Sequence, residues 1–262
     1  LGGPFEKVAG GGFALLRQAG IVVEVGLMEA AARETNIGFL TRVERGRPFV
    51  RIKLAASLDG RTAMADGSSK WITAAAARED VQQWRARAGA VLTGAGTVLA
   101  DDPRMDVRLD PAIEVAACLR VVLDASLRSL QQANIRSGAT PTLYLHAPDA
   151  VVPAGDWGGS QFTAVPLAAD GRLDLVAVMD LLGQRGINEV HVEAGAQLCG
   201  ALVAAGLCDE LLLYQAMTLM GEDARPLLSG LGIAAMAQQR RLQLLDAARV
   251  GADLRLRLRP QA

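Results

Sequence analysis

Residues 53–63, KLAASLDGRTA, close a run of alternating side chains that begins at Phe49. A period of two puts Val50, Ile52, Leu54 and Ala56 on one face and Arg51, Lys53 and Ala55 on the other. Residues 49–57 therefore read as a β-strand, stopped by the turn signal Leu58-Asp59-Gly60. Lys53 projects from the middle of it. In a central parallel strand both faces are covered, and such a lysine needs a carboxylate partner or a cleft; on a solvated edge strand it needs neither.

Downstream, GSSKWIT (67–73) leads to Thr73 as an N-cap for a helix over 74–88, with Ala77, Val81, Trp84 and Ala88 as its buried stripe. Arg85 flanks that stripe, either as a boundary residue reaching for water or as an anion ligand. Residues 90–93 form a short strand. GAGTVLADDPRMDVR (94–108) follows as a glycine turn, a short helix and a stop at Asp102-Pro103. Gly94-x-Gly96 lacks the rest of a dinucleotide fingerprint. From Lys53 to Arg108, polar side chains thus land repeatedly at element ends, where chemistry sits in α/β folds.

Further strands are expected over 119–124, 142–146 and 162–167, a helix over 173–185, and a strand over 188–193 (NEVHVE). That last strand enters Gly195-Ala196-Gln197-Leu198-Cys199-Gly200 and a helix running to about residue 205. Free backbone N–H groups and the helix dipole both favour a phosphate at such a turn. No Lys-Ser/Thr follows Gly200, so a Walker A motif is excluded, and a tight turn without ligand is the plainer alternative. Glu193 would share a cleft with Lys53 if their strands are neighbours. Strands over 209–217, 241–247 and 253–259 complete the sheet, the last two as an antiparallel hairpin on an otherwise parallel array. The alternation RLRLR (255–259) reads as an edge strand wet on one side rather than as a nucleic-acid contact. Before Arg47, a helix over 13–18, a strand over 21–25 and a helix over 28–43 are too little for a domain.

The 262 residues are 51% hydrophobic and carry a formal net charge of −1, enough apolar material for a sizeable core and no global field to attract nucleic acid or an anionic membrane. Cys118, Cys199 and Cys208 are odd in number and lack C-x-x-C spacing, which points to a reducing, cytoplasmic setting. No apolar run is long enough to span a bilayer, and nothing N-terminal resembles a signal peptide. His191-Val192-Glu193 matches the H-x-E of zinc nucleobase deaminases, but the P-C-x-x-C that completes their zinc shell is missing, so no metal site is expected.

KLAASLDGRTA, GSSKWIT, TVLADDP and VEAG, in this order and spacing, resemble the reductase domain of the bacterial bifunctional riboflavin-biosynthesis deaminase-reductase. The match runs from about Arg47 to the C-terminus, while VAGGGFALLRQAGIVVEVGLMEAAARETNIGFL (8–40) resembles the last part of that protein's deaminase domain. The resemblance implies two regions, 1–46 as a deaminase-domain remnant with linker and 47–262 as the reductase domain. It also implies an α/β, dihydrofolate-reductase-like fold: a mostly parallel sheet with helices on both faces and a C-terminal antiparallel hairpin. The activity it implies is NADPH-dependent reduction of the ribosyl group of an aminouracil ribotide, by a homodimer. Carried over by motif position, Ser69, Arg85 and Arg108 hold the substrate phosphate, and Met105 and Glu193 line the substrate pocket. Ala55, Trp71, Thr97, Asp101, Ala125 and the turn Gly195, Ala196, Gln197, Leu198, Cys199, Gly200 and Ala201 bind the cofactor. Family members often have Ser at the position of Ala125, where Ser126 or Arg128 could substitute. The chemistry is expected to use Lys53 as proton donor, paired with Glu193, and Asp101 to position cofactor or sugar. A reductase of another heterocycle such as a pterin, and a non-catalytic binding module, are the alternatives.

Overall fold

In the computed structural model, which describes residues 10–110 and 112–261, helices and strands alternate through most of the chain. The helices are α1 (Gly11–Gln18), α2 (Glu29–Thr35), α3 (Ile37–Arg45), α4 (Ala75–Arg87), α5 (Ala95–Asp101), α6 (Leu175–Gln184) and α7 (Ala196–Ala204). The strands are β1 (Phe49–Ala56), β2 (Arg61–Ala63), β3 (Ala90–Gly94), β4 (Leu119–Leu123), β5 (Thr142–His146), β6 (Gln161–Ala164), β7 (Glu189–Glu193), β8 (Glu210–Gln215), β9 (Arg225–Pro226), β10 (Leu242–Val250) and β11 (Asp253–Pro260).

Nine strands form one sheet in the order β10-β11-β8-β1-β7-β3-β4-β5-β6. From β8 to β6 every pair is parallel. The β10–β11 hairpin joins antiparallel to β8. β2 and β9 make a separate short antiparallel ribbon.

Alternation sorts the side chains as the strand period requires. Val50, Ile52, Leu54, Val190, Val192, Leu92 and Leu211 point to one face, where Val178, Met179 and Leu182 of α6 and Cys199, Leu202 and Val203 of α7 cover them. On the opposite face, α4 lays Ala77 and Val81 against Leu212 and Tyr214, and Val98 of α5 packs with Val91 and Val122. That second face carries the polar residues, and the C-terminal edges of β1, β7 and β3 lie side by side in its centre.

Four local expectations change. Residues 21–26 form no strand: among the described residues the run Ile21–Val25 pairs with no strand and is largely exposed. The helix expected over 28–43 is two helices, broken at Asn36, whose side-chain Nδ2 donates back to the Ala32 carbonyl. Ala74 rather than Thr73 is the α4 N-cap, and its N–H is taken by the Asp253 carboxylate at 2.7 Å. Finally, β11 is not an edge strand, because β10 lies outside it. Its arginines meet carboxylates instead of water: Arg255 pairs with Asp80 and Asp246, and Arg257 with Glu210.

Candidate active site

β1 and β7 are adjacent and parallel, with Lys53 directly opposite Glu193. One strand further, Leu92 of β3 pairs with Val192, so Thr93 falls beside Glu193. Lys53, Glu193 and Thr93 therefore form a row across three central strands, pointing to the polar face. Burial pushes the Lys53 ammonium below the ordinary lysine value; the charge of Glu193 pulls it back up and that of Arg85 pushes it further down.

The direct partner of Glu193 is not Lys53 but Arg85. The guanidinium closes a bidentate pair, Nε to Oε1 at 2.5 Å and Nη2 to Oε2 at 2.8 Å. A planar fork suits a carboxylate better than a lysine whose charged form burial already disfavours. Burial would raise the Glu193 carboxyl, but Arg85 holds it well below the usual carboxylate range. His191, two residues back on the same face and fully buried, brings Nε2 to 3.4 Å from Glu193 Oε1. Burial lowers its imidazole below the ordinary value, so it stands there neutral.

α4 also fixes the segment that follows α5. Arg85 Nη1 donates to the Asp106 carbonyl at 2.9 Å, and Gln82, one turn earlier, accepts from the Arg108 N–H at 2.9 Å. Just before them Met105 is buried with a left-handed backbone, φ 50°. Arg85 uses three of a guanidinium's five N–H donors on Glu193 and Asp106, so two are left for another anion. Arg108 is more exposed and pairs with the Asp106 carboxylate at 2.6 Å. Ser69 lies partly buried in the loop before α4.

The expected cofactor residues are spread over both faces of the sheet, α7 and Ala125 with the first and α5 with the second. Gly195 is the α7 N-cap in extended conformation, with no side-chain cap, so the first amides of the helix keep their donors free of side-chain competition. A Cβ at Gly195 would meet nothing within 4 Å, which leaves the approach to those amides open. Ala196, Gln197, Leu198, Cys199, Gly200 and Ala201 form the first turns, and Cys199 is buried with its thiol pushed up to about 12. Gly94, where β3 enters α5, lies so near that a Cβ there would sit 3.3 Å from Leu198 Cδ2. Thr97 and Asp101 ride on α5, and Asp101 Oδ1 is 3.8 Å from Lys70 Nζ, bridging α5 to the loop that carries Trp71. Trp71 is exposed, its ring 4.3 Å from the Arg78 guanidinium. Ala55 lies on β1 opposite Tyr214, and Ala125 follows β4, packed against the core. This arrangement fits a phosphate-bearing dinucleotide laid across the α7 N-terminus. Among the described residues no three or more His, Cys, Asp or Glu gather to hold a metal.

Gln82, Thr93, Asp106 and His191 belong to the neighbourhood but escape sequence reasoning. Only His191 carried a signal, its two-residue spacing from Glu193 on one strand face.

Comparison with known proteins identifies the family of the chain. A family model described as the RibD C-terminal domain matches residues 48–256. The riboflavin biosynthesis protein RibD of Escherichia coli is 40% identical over 97% of this chain and 71% of that protein. The solved structure of Acinetobacter baumannii RibD superposes with a TM-score of 0.86 at 40% identity, covering 99% of this chain and 71% of that one. A Thermotoga maritima structure superposes with a TM-score of 0.83 at 25% identity, covering 97% and 68% respectively. It is described as a diaminohydroxyphosphoribosylaminopyrimidine deaminase/5-amino-6-(5-phosphoribosylamino)uracil reductase. The chain belongs to the RibD C-terminal domain family.

Proposed function

We propose that this chain is the reductase of riboflavin biosynthesis, reducing the ribosyl group of an aminouracil ribotide to a ribityl group with NADPH. The observation that carries the reading is the row Lys53–Glu193–Thr93, set between the open α7 N-terminus on one side and Arg85 with Arg108 on the other. A dinucleotide pyrophosphate suits the first flank and a sugar phosphate the second, which brings nicotinamide and sugar together over the row.

NADPH, when bound, supplies the hydride; the protein's task is to orient the sugar and provide a proton. Ser69, Arg85 and Arg108 take the substrate phosphate, and Met105 closes the pocket wall. Lys53 gives its proton to the ring oxygen released as the ribose opens. Its lowered pKa eases that transfer, and the Glu193 carboxylate beside it keeps a protonated fraction available. Glu193, held by Arg85 and flanked by His191, also accepts from the sugar hydroxyls. Asp101 positions the cofactor side with Thr97 and Trp71.

On this reading residues 1–46 are the trailing part of a deaminase-like domain, in keeping with a family match that begins at residue 48. A homodimer and a cytoplasmic setting belong to the same reading, the latter supported by three buried free thiols. The test is NADPH oxidation by the purified chain with the aminouracil ribotide, beside a dihydropterin. Consumption with the ribotide alone is expected; none with the ribotide, or equal rates with both, would overturn the assignment.

A further inference from the structure

Asp106 lies in the proposed phosphate flank, and two guanidinium groups share it. Arg104 Nη2 lies 2.7 Å from Oδ2 and Arg108 Nη1 lies 2.6 Å from Oδ1. Both arginine side chains are about half exposed, at 55% and 53%, whereas Asp106 is only 13% exposed. The fixed partner is therefore the carboxylate, and the mobile ones are the cations.

Asp106 is fixed from behind. Its carbonyl accepts from Arg85, and the next turn of chain is tied down where Gln82 accepts from the Arg108 N–H. The left-handed backbone at buried Met105 turns the chain between Arg104 and Asp106. Arg104 is tethered as well, its carbonyl accepting from the buried Arg120 at 3.1 Å. One short segment thus places two arginine side chains on opposite oxygens of a single carboxylate. Each guanidinium gives one nitrogen to that carboxylate and keeps the rest of its five N–H donors.

We propose that Asp106 is a positioning residue that pre-sets Arg104 and Arg108 as a two-armed clamp for the substrate phosphate, with Arg104 a phosphate ligand alongside Arg108. The inference rests on the reading above, in which Arg85 and Arg108 meet that phosphate. Two unpaired cations four residues apart on one loop would repel one another and sample many rotamers; a carboxylate between them offsets the repulsion and narrows the search, so less ordering remains to be done on binding. Asp106→Asn keeps one acceptor oxygen and turns the other into an amide donor facing a guanidinium, which releases one arm.

The test compares wild type, Asp106→Asn and Asp106→Glu on the phosphorylated ribotide and on its dephosphorylated ribonucleoside, with folding checked by thermal melting. Asp106→Asn is expected to raise KM for the ribotide about tenfold, the loss of roughly one charge-assisted contact, with a smaller change in kcat. KM for the ribonucleoside should stay put, and Asp106→Glu, which keeps the charge, should fall in between. A fall in the ribotide KM would mean that Asp106 competes with phosphate, and equal effects on both substrates would mean a merely structural role; either overturns the inference. Loss of discrimination has a different meaning when it is already absent in wild type: equal KM values for the two substrates there would remove the phosphate reading itself. If wild type discriminates and Asp106→Asn does so equally well, only the role of Asp106 falls.

Discussion

Lys53 shows how much of a residue's chemistry is set by neighbours from distant parts of the chain. Its ammonium is pushed below 10.5 by burial and by Arg85, while Glu193 and, less strongly, Cys199 pull the other way. A proton donor must be charged, so the rate falls as pH rises through the Lys53 pKa. Glu193→Gln removes the largest of the charges that raise the Lys53 pKa, while the opposing push of Arg85 remains. The alkaline limb of kcat/KM should therefore move to lower pH in that variant, and a pH–rate profile that stays in place or moves upward would contradict the donor role. Lys53→Met should lower kcat by roughly a hundredfold to ten-thousandfold, the usual contribution of a positioned acid, with the fold intact by circular dichroism. The period of two along residues 49–57 was enough to place Lys53 on a different face from Val50 and Ile52. The partner of Glu193 was not legible, since Arg85 comes from a helix more than a hundred residues earlier and its own helix pattern suits a snorkelling arginine equally well. Asp106 was hidden for another reason: residues 102–108 have no periodicity, and the left-handed turn falls on Met105, a residue type that does not announce one.

At the scale of elements, the turn into α7 depends on a contact that only a glycine permits. A Cβ at Gly200 would lie 1.8 Å from the Ser229 carbonyl oxygen and 2.9 Å from its carbonyl carbon, backbone atoms that have no side-chain freedom to give way. Ser229 is itself tied to the first turn of α7, its N–H donating to the Ala196 carbonyl at 3.1 Å. Gly200→Ala must therefore push the helix and this loop apart, at a cost of about 1–3 kcal/mol in stability, as for other overpacked sites. Because the displaced turn is the one assigned to the pyrophosphate, KM for NADPH should rise severalfold. An unchanged melting temperature together with an unchanged cofactor KM would show that the loop does not press on α7. The strand–glycine–helix pattern of residues 188–205 was legible because its glycines punctuate two strong periodicities. The run Ile21–Val25 misled because apolar β-branched residues signal a strand only where a partner strand exists. Likewise the alternating arginines of β11 suggest an edge until β10 is seen outside it.

For the whole molecule, sheet order was the least legible feature: β7 inserts between β1 and β3 although it follows them by about a hundred residues, and only that insertion brings Glu193 to Lys53. An ionic network at the other end of the same strands locks this order. Arg51, 1% exposed, donates from Nε to Glu210 Oε1 at 2.7 Å and from Nη1 to Glu189 Oε2 at 2.9 Å, so β1 is clamped to both of its neighbours, β8 and β7. Its guanidinium lies 4.6 Å from the Trp84 ring of α4, and Arg257 of β11 reaches Glu210 at 2.9 Å while also approaching Glu34 of α2. Removing Arg51 takes one cation from two buried carboxylates that keep less buried partners, among them Arg87 and Arg257: Arg51→Met should destabilise the protein by about 3–5 kcal/mol, and adding Glu210→Gln should recover part of that loss rather than deepen it. Burial would raise the Glu210 carboxyl, but Arg257 and Arg51 hold it below 4.5. A carboxyl whose folded pKa is depressed stabilises the fold above its unfolded value, and the contribution is lost as pH falls through the folded one. Wild type should accordingly lose more of its unfolding free energy than Arg51→Met does on acidification below about pH 4.5, so the two denaturation curves converge in acid. Parallel curves at all pH values, or a double variant weaker than either single by the sum of their losses, would mean that the network does not couple these strands.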